Sequence, residues 1–371
     1  MLSRSGISPA RNRGLRITFV LPAISFTGGV RVVYEHTRQL ARRGHEVRIV
    51  AQRVAFAFPW SKSRIRALKK WVLEHFVERS WEVVEAYGLV DRVSLAPRLD
   101  ATYFPDGDIL VATAWQTADA VASAPDRCGR GCYFLQHYEA FTPDLVDRVD
   151  ATWRLPLERI VIAEWLMQLA HARFGLSAHG PVSNGIDLER FHPRGRKSGG
   201  PVTIGMIYEL QDWKGFEDGF EAVRLARKVH PTLRLHLFGK YRLRHRLQPW
   251  DRFERNPSQD RIPEIFRECD IFLSPSWSEG WGLPSMEAMA CGCAAVATNV
   301  GGIPKLCVPG VSALTVEPRA IGKMAEHLVT LASSEALRSE IARAGMDRMR
   351  QFTWDRVSGG LEEIFRKIVD K

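Results

Sequence analysis

No stretch of this chain approaches the ~18 consecutive apolar residues of a membrane-spanning helix, which argues against a helical integral membrane protein. Cysteine is scarce: six residues at irregular spacing make no disulfide framework, so a reducing cytoplasm is the expected compartment. Cys128 and Cys132, and Cys291 and Cys293, are close in sequence. Neither pair has a second pair at zinc-ligand spacing, so no metal site is expected. With 29 glycines and 20 prolines the chain is neither fibrous nor wholly disordered. Residues 1–14 are basic but lack the apolar run of a secretory signal, and read as a flexible leader. No fixed-period repeat is present.

What remains is an ordinary globular composition, 45% hydrophobic and 25% charged, over 371 residues, a length that suggests two domains with a core each. The formal net charge of +10 implies an anionic partner: a phosphorylated small molecule, a lipid head-group layer or a nucleic acid. Charge alone does not choose among these.

The order of elements narrows the field. Residues 16–21 form a short apolar run before Pro22, followed by the glycines Gly28 and Gly29. Residues 30–43 then have helical apolar spacing closed by Gly44, and 46–50 form a second strand. Strand, glycine loop, helix and strand make a βαβ unit, which implies a parallel sheet covered on both faces. Further strands are expected at 108–113, 131–136 and 159–163. A seam rich in turn residues spans about 180–201, and the pattern restarts. Strands are expected at 202–207, 233–238, 271–274, 294–298 and 314–316, with helices at 216–230 and 354–369. The fold class is therefore α/β, with two Rossmann-like doubly wound domains, and a cleft between domains is a preferred ligand site.

The most specific segment is Ser278-Glu-Gly-Trp-Gly-Leu-Pro-Ser-Met-Glu287. Glu279 lies in the loop after the strand at 271–274, and Glu287 in the helix that follows. Between them Gly280 and Gly282 let backbone N–H groups approach a ligand, and a helix N-terminus favours an anion. Carboxylates beside a helix N-terminus suit a ligand with both sugar hydroxyls and phosphate. The residues alone read equally well as a solvated loop before a helix. Lys214 sits at a strand-to-helix turn, where a lysine meets a diphosphate as a point charge, although a lone lysine is ordinarily just a surface residue. His137 follows a strand's C-terminal end, where open α/β sheets bind ligands; Glu139 is placed to orient it. The triplet Asp106-Gly-Asp108 resembles a cation site but precedes its strand, and reads as a turn. Residues 62–77, with Trp60 nearby, have basic residues at 62, 64, 66, 69 and 70 among an apolar stripe. This is either a helix packed on the domain or a peripheral contact with an anionic membrane at its inner face.

The Glu279–Glu287 segment resembles the E-x7-E signature of the retaining glycosyltransferases of family 4, which have the GT-B fold. Gly28-Gly29, the seam motif at 182–187, Lys214-Gly215 and Gly301-Gly302 fall in that family's order, so the resemblance covers roughly 15–370. It implies a leader at 1–14, an N-terminal acceptor domain at 15–183, a C-terminal donor domain at 184–352, and a last helix at 353–371 crossing back to the first domain. It implies a nucleotide diphosphate sugar as donor, a saccharide, lipid-linked or small-molecule acceptor, and transfer of a hexosyl or deoxyhexosyl group. The setting it implies is polysaccharide, glycolipid or glycoconjugate biosynthesis, with no metal, no other cofactor and no nucleic acid. The roles implied are Glu287 on the donor's ribose hydroxyls and Glu279 on the transferred sugar. N–H groups of Trp281, Gly282 and Leu283 and of the Gly28-Gly29 loop support the sugar and diphosphate. Lys214 offsets charge on the leaving diphosphate, and His137 faces the sugar. One departure stands out: the family commonly has an arginine after the strand glycine, and this chain reads Gly205-Met206. The base pocket is expected near 238–240 and 256–263. Rival readings are a nucleotide-sugar epimerase of the same fold, a non-catalytic nucleotide-sugar-binding protein, and a nucleic-acid binder suggested by charge alone.

Overall fold

The computed structural model describes residues 13–53, 78–195 and 200–371; the basic stretch at 62–77, Trp60 and residues 1–12 of the leader lie outside them. The described residues fall into two compact units. One runs up to Val161 and adds Leu166–Val182 and Ser358–Lys371; the other comprises Ile162–Trp165 and Ser183–Val357. Among the described residues no helix is long and apolar enough to cross a membrane, and the six cysteines are all buried and unbridged.

The first unit holds a parallel six-stranded sheet of β1 (Arg16–Leu21), β2 (Glu46–Gln52), β3 (Val93–Ala96), β4 (Ile109–Ala112), β5 (Arg130–Leu135) and β6 (Glu158–Val161), in the order β3-β2-β1-β4-β5-β6. Phe19, Ile49, Val111 and Phe134 are fully buried, as expected where helices cover both faces of a parallel sheet. The last helix, Trp354–Val369, contributes its C-terminal part to this unit. Phe365 packs on Phe19 with ring centroids 6.4 Å apart, and Ser358 Oγ lies 2.9 Å from the buried His36 Nδ1. Glu362 meets Arg43, His45 and Arg366; burial raises its carboxyl, but Arg366 and His45 outweigh it and hold the carboxyl below the usual range.

The second unit repeats the plan with β7 (Thr203–Ile207), β8 (Arg234–Gly239), β9 (Arg252–Arg255), β10 (Ile271–Ser274), β11 (Ala294–Thr298) and β12 (Leu314–Val316), ordered β12-β11-β10-β7-β8-β9. Its core joins Ile204, Leu235, Leu237, Leu273 and Val296 of the strands to Ala222, Val223 and Leu328 of the helices. In each sheet the chain builds outward from one strand and then returns to that strand's other side. The reversal falls between β1 and β4, and between β7 and β10. Ligands of open α/β sheets bind at the carboxyl ends of the strands at such switch points.

Two strands, β3 and β9, are additions to the sequence expectation, and several boundaries move. The helix expected at 30–43 begins at Gly28, with Thr27 in extended conformation before it. Gly28 and Gly29 are therefore its first turn rather than a loop ahead of it. The helix at 216–230 ends at Ala226, and a looser turn carries the chain to Pro231.

Candidate functional site

In the first unit, the residues singled out by sequence gather at the carboxyl ends of β1, β4 and β5. Gln136, one residue past β5, donates from Nε2 to Gly29 O at 3.0 Å and so fixes the glycine turn after β1. His137 is half-buried against Phe141, with ring centroids 5.0 Å apart. Its Nδ1 lies 2.8 Å from Tyr138 O; a carbonyl can only accept, so Nδ1 carries the proton and Nε2 is the basic nitrogen. Glu139 does not orient His137 through a hydrogen bond. Its Oε2 accepts instead from Trp115 N–H at 2.8 Å, at the start of the helix Trp115–Ala122.

Burial pushes the Glu139 carboxyl up to about 7 from an ordinary 4.5, despite that hydrogen bond. The folded protein therefore holds this proton more tightly than the unfolded chain. Its stabilising contribution is full below pH 4.5 and is lost as pH rises towards 7. The full shift is worth at most about 3 kcal/mol. In urea melts, Glu139→Gln should gain stability relative to wild type between pH 5 and pH 8. A wild-type-to-variant difference that is flat over that interval would contradict the assignment.

In the second unit, the switch point brings Lys214 and Glu279 together. Lys214 ends a single helical turn, Asp212–Lys214, that follows β7; Glu279 lies in the loop after β10. Lys214 Nζ donates to Glu279 Oε1 at 2.8 Å, and Ser276 Oγ donates to the same oxygen at 2.8 Å. One carboxylate oxygen thus takes both contacts. Glu279 has a side-chain exposure of only 11%, and Lys214 of 34%, so the pair borders solvent from a largely protein environment. The loop is held from several sides. Trp165 Nε1 donates to Gly280 O at 3.0 Å, Thr298 Oγ1 donates to Ser276 O, and Gly301, at φ 60°, leaves no room for a Cβ against Glu279 O.

Trp277 connects the two sides. Its backbone N–H donates to Trp213 O at 2.7 Å, which ties the Glu279 loop to the Lys214 turn. Its indole donates to Asp218 Oδ2 at 2.7 Å, and the Arg319 guanidinium carbon sits 4.0 Å from the ring centroid. Arg319 adopts a left-handed backbone, φ 65°, which is uncommon for a side chain of this kind.

Gly282, Leu283 and Glu287 lie on the helix Leu283–Ala290, with Gly282 as its N-cap and no side chain capping its first N–H groups. Glu287 is buried. The Trp281 indole is buried as well and packs on Phe352, so any contact of Trp281 with a ligand is left to its backbone.

Met206 is not the residue that occupies a cation's place. It lies inside β7 with its side chain fully buried in the core, its sulfur against Gly219. Within electrostatic range of Lys214 and Glu279 lies Glu209, two positions past β7. Burial and the nearby Glu279 raise its carboxyl, while Lys214 and Lys240 pull it down. No motif marks Glu209; its place two residues beyond a strand at the switch point was its only signal.

Two acidic groupings resemble cation sites. Asp108 is taken up by the Arg16 backbone N–H at 2.8 Å and by the guanidinium groups of Arg13 and Arg16, and Asp106 pairs with Arg127. His236, Glu254 and Glu268 converge, but the Arg261 guanidinium already spans both carboxylates at 2.6–3.1 Å. That network pins β9 to the helix Arg261–Glu268 and frames the segment expected to hold the base.

Residues 187–348 match the family described as glycosyl transferases group 1. A D-inositol 3-phosphate glycosyltransferase of Segniliparus rotundus is 29% identical over 50% of this chain and 46% of its own length. One from Mycobacterium leprae is 25% identical over 94% of this chain and 90% of its own. The chain spans about a third to a half of the first curated relatives it matches. Among solved structures, Anabaena Alr3699/HepE, in complex with UDP and glucose, superposes with a TM-score of 0.72 at 15% identity, over 95% of this chain and 100% of that one. The fold is GT-B, two parallel six-stranded sheets with their helices.

Proposed function

We propose that the protein is a retaining glycosyltransferase of family 4 that moves a hexosyl or deoxyhexosyl group from a nucleotide diphosphate sugar to an acceptor hydroxyl. The observation that carries this reading is the Lys214–Glu279 pair at the β7/β10 switch point, beside the uncapped start of the helix Leu283–Ala290. Lys214 keeps further N–H donors for a diphosphate while one is spent on Glu279. Glu279 keeps its second oxygen for a sugar hydroxyl, and the first N–H groups of the helix suit an anion. The resemblance to glycosyltransferases and to a protein solved with UDP and glucose supports the donor class.

In this reading the acceptor oxygen attacks the anomeric carbon from the face that the diphosphate leaves. The carbon–oxygen bond to phosphate breaks, and a donor phosphate oxygen takes the acceptor's proton. The chain positions the reactants and offsets charge on the leaving group. Lys214 stands at the diphosphate, Glu279 at the sugar and Glu287 at the ribose. Incubation with a panel of nucleotide sugars tests the reading: nucleotide release should require an acceptor, and the product should keep the donor's anomeric configuration. Product formed without acceptor would assign an epimerase instead.

Two predictions belong here. Glu287→Ala should weaken binding of the bare nucleotide diphosphate in calorimetry, whereas Glu279→Ala should spare it and weaken the sugar nucleotide. Equal losses on both ligands would remove this division of roles. Activity should also survive chelation by EDTA. Asp108→Asn should lower the melting temperature, through its lost contacts with Arg13 and Arg16, and leave turnover unchanged. Loss of activity on chelation, restored by Mn²⁺, would move the diphosphate to a metal site.

A further inference from the structure

Beyond β8 the chain enters a segment of alternating character. Lys240, Arg242, Arg244 and Arg246 are exposed, and the residues between them, Tyr241, Leu243, His245 and Leu247, are half-buried. The inward set anchors the segment. Tyr241, Leu243 and Leu247 pack on the core of the second unit, and His245 lies 4.9–6.1 Å from the rings of Phe216, Phe220 and Tyr208 and 3.0 Å from Glu217. The outward set therefore stands as a row of four cations on a fixed backbone, and none of them has an ion-pair partner among the described residues. Many exposed arginines elsewhere do: Arg98 pairs with Asp100, Arg148 with Asp119, Arg224 with Glu221 and Arg350 with Asp347. Burying or extending four like charges along at most about 20 Å of chain costs self-repulsion that an opposing anionic surface would relieve.

We propose that this row is a docking surface for anionic lipid head groups, so that the second unit rests on a membrane surface. Three features select this occupant. The cations are exposed rather than gathered around a cavity, which suits a broad field of negative charge better than one discrete phosphate. The rings interleaved with the cations, Tyr241 and His245, face inward, so the row itself carries no rings on which nucleic-acid bases would stack. Trp250 follows at 46% exposure, an aromatic of the kind that sits at head-group level. Lys240, the first of the row, acts electrostatically on Glu209 near the Lys214–Glu279 pair. The surface so defined begins within electrostatic range of Glu209. It stands independently of the catalytic reading, because lipid binding is measured without turnover.

The test is co-sedimentation of the full chain with vesicles of phosphatidylcholine containing about a third phosphatidylglycerol, against vesicles of phosphatidylcholine alone. Binding is expected only to the anionic vesicles, and is expected to vanish near 1 M salt, where the Debye length is about 3 Å. The triple variant R242Q/R244Q/R246Q should bind roughly a hundredfold more weakly, with thermal stability unchanged. R242K/R244K/R246K should keep binding within about threefold, because a lipid surface reads charge rather than guanidinium geometry. Wild-type binding that ignores lipid charge, or a glutamine variant that binds as wild type, overturns the proposal. A lysine variant that falls as far as the glutamine one overturns it too, in favour of a shaped site for a single phosphorylated ligand.

Discussion

Lys214→Ala should lower turnover by about 10²–10³, the usual effect of removing one preorganised charge from a site that stabilises a leaving group. The structure adds a second reason. Lys214 is the cation between two carboxylates, Glu279 at 2.8 Å and Glu209 within electrostatic range. Without it, Glu279 keeps only the Ser276 hydroxyl on its Oε1, and the Glu209 carboxyl loses a cation that pulls it down. The variant should therefore bind the donor diphosphate poorly as well as react slowly. Lys214→Arg should recover part of the loss, since the forked guanidinium keeps the charge but not the single short contact. Met206→Arg should rescue nothing and should destabilise the fold, because it places a charge in the core of the second unit. Position 209 is where a new cation can act, so Glu209→Arg should restore part of the turnover of Lys214→Ala. Steady-state kinetics on these variants decides the matter. More than about a tenth of wild-type turnover in Lys214→Ala would mean that another cation holds the diphosphate.

The way Met206 misleads illustrates what sequence conveys about this fold. Buried strands declare themselves as apolar runs, and β1, β2, β7, β10 and β11 are legible for that reason. β9 is not: Arg252-Phe-Glu-Arg255 is an edge strand with an exposed charge at each end, and its Glu254 is held by Arg261 rather than by burial. Where a strand stops is less legible still. Met206 reads as the residue beside the ligand only if β7 ends at Gly205; the strand runs on to Ile207, and Glu209, beyond its end, is the residue within electrostatic range of Lys214 and Glu279. The loop around Glu279 and the turn at Lys214 carry glycine and carboxylate spacing that a sequence displays. Their contact does not appear there, because it joins residues 65 positions apart. Trp277 and Arg319 have no local signature at all, since each acts through a ring contact set by the arrangement of β10 and β12.

That arrangement makes Gly215→Ala the other large expected effect. Gly215 has φ 63°, a left-handed conformation that costs an alanine about 1 kcal/mol or more. An added Cβ would also run into the Pro275 carbonyl, with its carbon only 2.8 Å away, and meet Trp277 Nε1 at 3.3 Å. Backbone cannot yield as a flexible side chain does, so the Pro275–Trp277 segment must shift. With overpacking costing about 1–3 kcal/mol, the variant should be measurably less stable yet still folded. Turnover should fall much further than stability. The displaced segment carries Ser276, which bonds Glu279, and Trp277, whose N–H bonds Trp213 next to Lys214. Misplacement by about 1 Å at a positioned site costs on the order of 10²-fold in rate. Arg319→Gly supplies the contrast. It relieves a strained φ while removing the guanidinium from the Trp277 ring, terms of similar size, so stability should stay within about 1 kcal/mol of wild type. Its loss of turnover should be partial, because the Asp218 bond still holds the indole. A folded Gly215→Ala variant with wild-type turnover would show that the Lys214 turn and the Glu279 loop can separate without consequence. The pair would then be a surface ion bridge, and the donor site would have to be sought elsewhere in the second unit.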